Sequence, residues 1–150
     1  MNSLANDPDR LDDPAAHDYA RSRRRHWDSL ASAAAEHGGA TGQYYHQRLA
    51  EVCRHLVPPG RRVLEVGCGE GNLLASLEPS LGVGVDFSEQ MLRTARRRHP
   101  DLALVVADAH GLPIDGSFDY IILSDLINDV WDVQRVLEQC RRLCTPRTRL

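Results

Sequence analysis

The sequence predicts an α/β fold built on a doubly wound parallel sheet, and three observations lead there. After Pro58-Pro59-Gly60, short runs rich in Val, Leu and Ile alternate with segments of helical periodicity. The first of those runs empties into a glycine-rich turn at 67–71. Acidic residues then recur at the ends of the runs, the edge at which open parallel sheets bind ligands. Strands alternating with helices require right-handed crossovers, so the sheet is expected to be parallel with helices on both faces.

The elements follow in order. Residues 1–15 are rich in Asp, Asn and Pro and read as a disordered arm. A first helix is predicted over 17–36, with Tyr19, Trp27, Leu30, Ala31 and Ala34 on one stripe and Gly38-Gly39 as its stop. A second covers 42–56, where Tyr45, Leu49, Val52, Cys53 and Leu56 form one face. Val63 to Val66 is the first strand, followed by a short helix at 72–77 and a second strand at 81–85. Ser88 is the expected N-cap of a helix at 89–98 that turns Met91, Leu92 and Ala95 inward. Leu102 to Val106 and Phe118 to Leu123 are the third and fourth strands. Asp132 is placed to cap a last helix, with Val133, Val136, Leu137, Cys140, Leu143 and Cys144 buried and Pro146 closing it. The organisation is therefore an arm at 1–15, an N-terminal helix at 16–41, and one α/β unit at 42–150.

Composition narrows the function classes. The chain has 150 residues, enough for one domain, with ordinary apolar and charged fractions and a net charge of −3. That charge gives no argument for nucleic acid or an anionic membrane as partner. No run of apolar residues is long enough to span a bilayer, and the polar N-terminus lacks the apolar core of a secretory signal, so a cytoplasmic setting is expected. Cys53, Cys68, Cys140 and Cys144 do not make a paired C-x-x-C pattern, and no metal site is expected. Cys140 and Cys144 share a helix face and should pack as small hydrophobes. The arginine runs 21–25 and 93–98 read as solvated helix faces.

Four segments carry chemistry. The first is Glu65-Val66-Gly67-Cys68-Gly69-Glu70-Gly71, where glycines at alternate positions allow a tight bend pressed against a ligand. A carboxylate two residues before the first glycine suits a cationic ligand and opposes a pyrophosphate. The spacing G-x-G-x-G also departs from the G-x-G-x-x-G of dinucleotide-binding turns. A plain turn without ligand is the alternative. The second is Asp86 with Phe87: the carboxylate could accept from two ribose hydroxyls and the ring could cover a purine, or Asp86 could merely cap the next helix. The third is Asp108 with Ala109, where a carboxylate and a backbone N–H could read an adenine edge, unless Asp108 is a solvated loop residue. The fourth is the strand 118–123 leading to Ser124 and Asp125, with Asp119 at its far end expected to be structural.

In this order and spacing the four segments resemble the class I, Rossmann-like, S-adenosylmethionine-dependent methyltransferases over residues 42–145, in the group acting on small-molecule and lipid-type acceptors. VLEVGCGEG is similar to their first motif, GVDFSEQML to the second, and ADAHGLPIDGSFDYIILSD to the adenine and following segments. The resemblance implies that Glu65, Gly67, Cys68, Gly69 and Gly71 hold the methionine moiety, Asp86 the ribose, Asp108 and Ala109 the adenine, and that the Ser124 backbone borders the amino group. It implies strand order 3-2-1-4-5-7-6, of which strands 5–7 are expected to be absent because the chain stops at Leu150. The cofactor half would then be present and the acceptor half missing, with a continuation into a further domain. The stretch from Leu123 to Leu150 is similar to bacterial methyltransferase domains fused to a glycosyltransferase.

The acceptor is expected to be a small molecule or lipid rather than nucleic acid, since Ser124-Asp125-Leu126-Ile127 stands where amino-methylating nucleic-acid enzymes carry D/N-P-P-Y/F. No residue identifies itself as a general base; His110, Asp125 and Asn128 are candidates near the expected mouth, and Tyr44, Tyr45 and His46 are candidates on the preceding helix. Two alternatives are a cofactor-binding fragment without activity and a nicotinamide-dependent oxidoreductase.

Overall fold

The computed structural model describes residues 13–37 and 43–150. The first twelve residues and the Gly38-Gly39 stop lie outside the described residues. Two helices, α1 (Pro14–His37) and α2 (Gln43–Leu56), precede β1 (Arg62–Val66), α3 (Asn72–Ser76), β2 (Leu81–Asp86), α4 (Glu89–Arg98), β3 (Ala103–Val106), β4 (Phe118–Ile122), α5 (Val133–Arg142) and β5 (Cys144–Arg149). The sheet order is β3-β2-β1-β4-β5 and every pairing is parallel. The expected doubly wound Rossmann-like sheet is thus present, in the expected order.

Local chemistry explains where the elements begin. Ser88 accepts the Met91 N–H and Asp132 accepts the Arg135 N–H, so both expected caps satisfy donors that an α-helix leaves unpaired. Central strands β1 and β2 carry Val63, Leu64, Val66, Val83 and Val85 with both faces covered, as continuous apolar runs require. One main cluster joins Leu64, Val66, Val85, Phe118, Ile121, Val136, Cys140 and Leu143; a second, with Val57, Val63, Leu74 and Leu77, lies beneath α2 and α3. Cys140 is fully buried on α5 and Cys144 packs against the same cluster, but from the start of β5 rather than from the shared helix face expected of it.

Three expectations need correction. A fifth strand exists: Pro146 does not merely close α5 but lies within β5, which covers the edge of β4. The register jumps between Phe118–Cys144 and Tyr120–Arg149, and Thr148 Oγ1 bridges the irregularity by donating to the Phe118 carbonyl at 2.7 Å. A proline fits there because an irregular edge strand loses no ladder bond to its missing N–H. Second, the apolar face assigned to α2 is largely uncovered, with Tyr45, Val52 and Leu56 exposed and only Cys53 packed on the second cluster. Third, Leu137 is exposed and Gln139 buried instead, its side-chain oxygen accepting the Leu112 N–H.

The close fit at the centre of the sheet gives a direct test. A Cβ added at Gly84 would stand 2.7 Å from Cys68 Sγ and 2.8 Å from Leu104 Cδ2. Gly84→Ala should destabilise the chain by about 1–3 kcal/mol in denaturant unfolding, the usual cost of overpacking. Cys68→Ala in the same chain should recover part of that loss; equal destabilisation of single and double variants would contradict the packing.

Candidate active site

The carboxyl edge of the sheet is assembled by backbone donors. Gly67 and Cys68 both direct their N–H groups to the Val85 carbonyl, at 2.7 and 3.0 Å, and Gly71 N–H donates to the Cys68 carbonyl. Gly69 N–H donates to Asp86 Oδ2 at 2.8 Å. The bend is left-handed at each glycine, with φ of +79° at Gly67 and +50° at Gly69, a region that side chains disfavour. At Gly69 the place of a missing side chain is open space, which leaves room for a ligand beside Asp86.

Glu65 is almost fully buried at the end of β1. Its Oε2 accepts the Leu74 N–H at 3.1 Å, which caps α3 from within where Gly71, at the N-cap position, has no side chain to do so. Burial, opposed by that bond and reinforced by the Asp86 and Asp125 carboxylates, pushes Glu65 up to about 8. Asp86 also lies above the usual carboxylate range through burial, although the Ser88 and Gly69 N–H groups hold it down. Cys68 turns its thiol away from the edge into a third cluster with Leu92, Ala95 and Leu104, so only its backbone faces the bend.

Asp108 Oδ1 accepts both the His110 N–H and His110 Nδ1, at 2.9 and 2.5 Å. Ala109 N–H has no hydrogen bond to any described residue. Ser124 is half-buried in the turn after β4, and Asp125 next to it has φ +53°, a strained value for a residue with a side chain. Asp125 Oδ1 accepts from Tyr45 of α2 at 2.8 Å, and that hydrogen bond, ahead of the carboxylate's charge, pushes the tyrosine phenol up. Asp119 sits at the opposite end of the sheet, accepting the Arg62 N–H, as expected for a structural residue.

Sequence reasoning missed the role of α1. Trp27 Nε1 donates to Asp129 at 2.6 Å, Arg23 pairs with the same carboxylate, and Tyr19 meets the Trp131 ring at 5.6 Å between centroids. On the other wall, Ser88 Oγ donates to Asp28, and the Arg24 guanidinium stands over the Phe87 ring at 5.9 Å. The helix therefore bridges the segments that follow β2 and β4. The run at 21–25 is not a uniformly solvated face: two of its arginines are drawn to the edge of the sheet. A single sequence carries no signal for such long-range partners beyond the aromatic stripe of Tyr19 and Trp27.

This donor set fits a compact cationic ligand better than a pyrophosphate. The N–H groups of Gly67, Cys68, Gly69 and Gly71, which would have to cradle phosphates, already have acceptors, and a phosphate would make it still harder for the buried Glu65 and Asp86 carboxyls to ionise. The oxidoreductase alternative loses its phosphate site. Among the described residues there is no cluster of His, Cys, Asp and Glu able to hold a metal ion, and no helix long and apolar enough to cross a membrane.

Comparison with known proteins agrees. Residues 63–147 match the family model of the methyltransferase domain. A Mycobacterium tuberculosis protein named as an S-adenosylmethionine-dependent methyltransferase is 33% identical over 105 residues, which are 67% of this chain and 36% of that protein. The demethylmenaquinone methyltransferase of Thermotoga maritima is 35% identical over 111 residues, 71% of this chain and 48% of the relative. Among solved structures, a Haloferax volcanii methyltransferase-type protein in complex with its Trm112 activator superposes with a TM-score of 0.69 at 26% identity, covering 80% of this chain and 56% of that one. The chain spans a third to a half of the length of these curated relatives.

The electrostatics of the edge can be tested without ligand. A carboxyl that holds its proton more tightly in the fold than in the unfolded chain gives the native state more bound protons, so stability falls as pH rises. For Glu65 that window runs from 4.5 to about 8. Melting curves across it should show the wild-type chain losing more stability than Glu65→Gln, which keeps a Leu74 acceptor and cannot ionise. Identical slopes would mean that Glu65 is already ionised in the fold. The buried acid, the alternate-glycine bend, the sheet order and the match over 63–147 converge: the chain belongs to the methyltransferase-domain family.

Proposed function

We propose that the chain binds S-adenosylmethionine at the carboxyl edge of its sheet, as the cofactor-holding part of an enzyme that methylates a small-molecule or lipid-type acceptor. The observation that carries this reading is the Glu65 carboxyl, pushed up first by burial and then by repulsion from Asp86 and Asp125, and placed beside a bend whose N–H groups already have partners. A ligand bearing ammonium and sulfonium charges would relieve that repulsion, whereas a phosphate would add to it.

Each site residue has a matching task. Glu65 and the backbone from Gly67 to Gly71, Cys68 included, would hold the methionine end, bordered by the Ser124 backbone. Asp86 keeps a second lone pair on each oxygen after accepting the Gly69 and Ser88 N–H groups, enough for two ribose hydroxyls. Phe87 would cover one adenine face, Asp108 would accept from the exocyclic amine, and the unpaired Ala109 N–H would donate to the ring. The bound cofactor supplies a methyl group on a cationic sulfur, already activated for in-line displacement. What remains for the protein is to orient the acceptor and exclude water, a proximity effect.

His110 is not suited to be a general base, because both its ring nitrogens have partners. The Tyr45–Asp125 pair lies at the mouth and is placed to touch the acceptor. The four free thiols, with Cys68 and Cys140 buried, support a reducing, cytoplasmic setting.

Calorimetry with S-adenosylmethionine, S-adenosylhomocysteine and NAD tests the proposal. The first two should bind and NAD should not, and Asp86→Ala should weaken binding by about 1–3 kcal/mol, the cost of losing hydrogen bonds to a charged group. Preferential binding of NAD would end the methyltransfer reading.

A further inference from the structure

His110 is a buried polar side chain near the edge with partners on both ring nitrogens, and the reading above gives it no task. Its ring is buried, with 9% of the residue exposed. Nε2 accepts the backbone N–H of Asp132 at 3.1 Å, so that nitrogen must present a lone pair. Nδ1 lies 2.5 Å from Asp108 Oδ1, so it must carry the proton that joins them. Each contact dictates the other, and the ring is fixed as the neutral Nδ1–H tautomer. The His110 carbonyl is held as well, accepting from Arg135 Nε, and Asp132 caps the same helix.

We propose that His110 is a positioning residue that gives the adenine subsite its preference for an exocyclic amine, by engaging Asp108 Oδ1 twice and leaving Oδ2, which accepts from none of the described residues, to face the ligand. The proposal rests on the reading that Asp108 meets the adenine. With the His110 N–H and Nδ1–H both on Oδ1, the carboxylate cannot rotate without losing two bonds. Those bonds, helped by the Arg24 charge, also outweigh the effect of burial and keep the Asp108 carboxyl below its ordinary range. An ionised carboxylate accepts and never donates, so it takes an amine N–H and repels a carbonyl oxygen. Because Asp132 N–H holds the far side of the imidazole, the start of α5 is what keeps the donor aimed at Asp108. Sites built to pair one polar group reject an analogue that leaves the pairing unmade.

The test compares binding of S-adenosylhomocysteine with S-inosylhomocysteine, in which a carbonyl replaces the amine, by calorimetry on the full chain. Wild type should prefer the amine by on the order of a hundredfold or more, as expected for a rejected hydrogen-bond partner. His110→Ala should cut that preference to less than about a tenth of its wild-type value, the factor that loss of one charge-assisted bond implies. His110→Asn, whose amide nitrogen falls where Nδ1 stands, should retain most of it. His110→Gln, whose amide oxygen reaches the place of Nε2, should preserve the Asp132 contact and lose the preference. This Asn–Gln contrast stands even where the alanine variant fails to fold, and a purely structural role would not produce it. Asp108→Ala separates the two layers. If it leaves the preference intact, the adenine reading itself is wrong. If it abolishes the preference while the Ala and Gln variants at 110 keep it, the role proposed for His110 is overturned.

Discussion

The contact on which the site depends is the hydrogen bond from Gly69 N–H to the Asp86 carboxylate, backed by the two N–H groups that share the Val85 carbonyl. Those bonds tie the tip of β1 to the tip of β2 and fix the bend in a conformation that only glycine adopts at low cost. They also hold the Asp86 carboxylate close enough to add to the effect of burial in raising the proton affinity of Glu65. The fold tolerates this because each acid is anchored by a nearby backbone donor: Leu74 for Glu65, Ser88 and Gly69 for Asp86, His110 for Asp108. Local strain of this kind is what a preorganised cation site requires.

Around that edge, α1 supplies a closure drawn from a distant part of the chain. Its contacts alternate between the segments following β2 and β4, through Asp28 with Ser88 and through Arg23 and Trp27 with Asp129. One helix thereby restrains both walls of the crevice, and Arg24 adds positive charge near Phe87 and Asp108, at the end opposite the Glu65 cluster.

What could be read in the sequence was what depends on near neighbours along the chain. Ser88 and Asp132 announce helix starts because capping needs only a residue and the N–H three positions on. Val63 to Val66 announces a buried strand because both its faces are covered. The acids at the strand ends were legible for the same reason, each being placed by the strand that carries it. Periodicity misled where it had to imply a partner: α2 has an apolar face, but Tyr45, Val52 and Leu56 stay exposed instead of packing into the core. Pro146 misled because it normally ends helices, whereas an edge strand with an irregular register accommodates it. The grip of α1 was invisible because its partners lie roughly sixty to a hundred residues away, and the fate of His110 depended on the backbone of Asp132 across the crevice.

The central claim is that burial keeps the Glu65 carboxyl at the sheet edge protonated until a cationic adenosyl ligand stabilises its ionised form. The most direct measurement is carbon-detected NMR of the Glu65 carboxyl at neutral pH, with and without S-adenosylmethionine. The account predicts a protonated carboxyl in the free chain that ionises on binding. A carboxyl already ionised without ligand, or one whose signal is unchanged by saturating ligand, would contradict it.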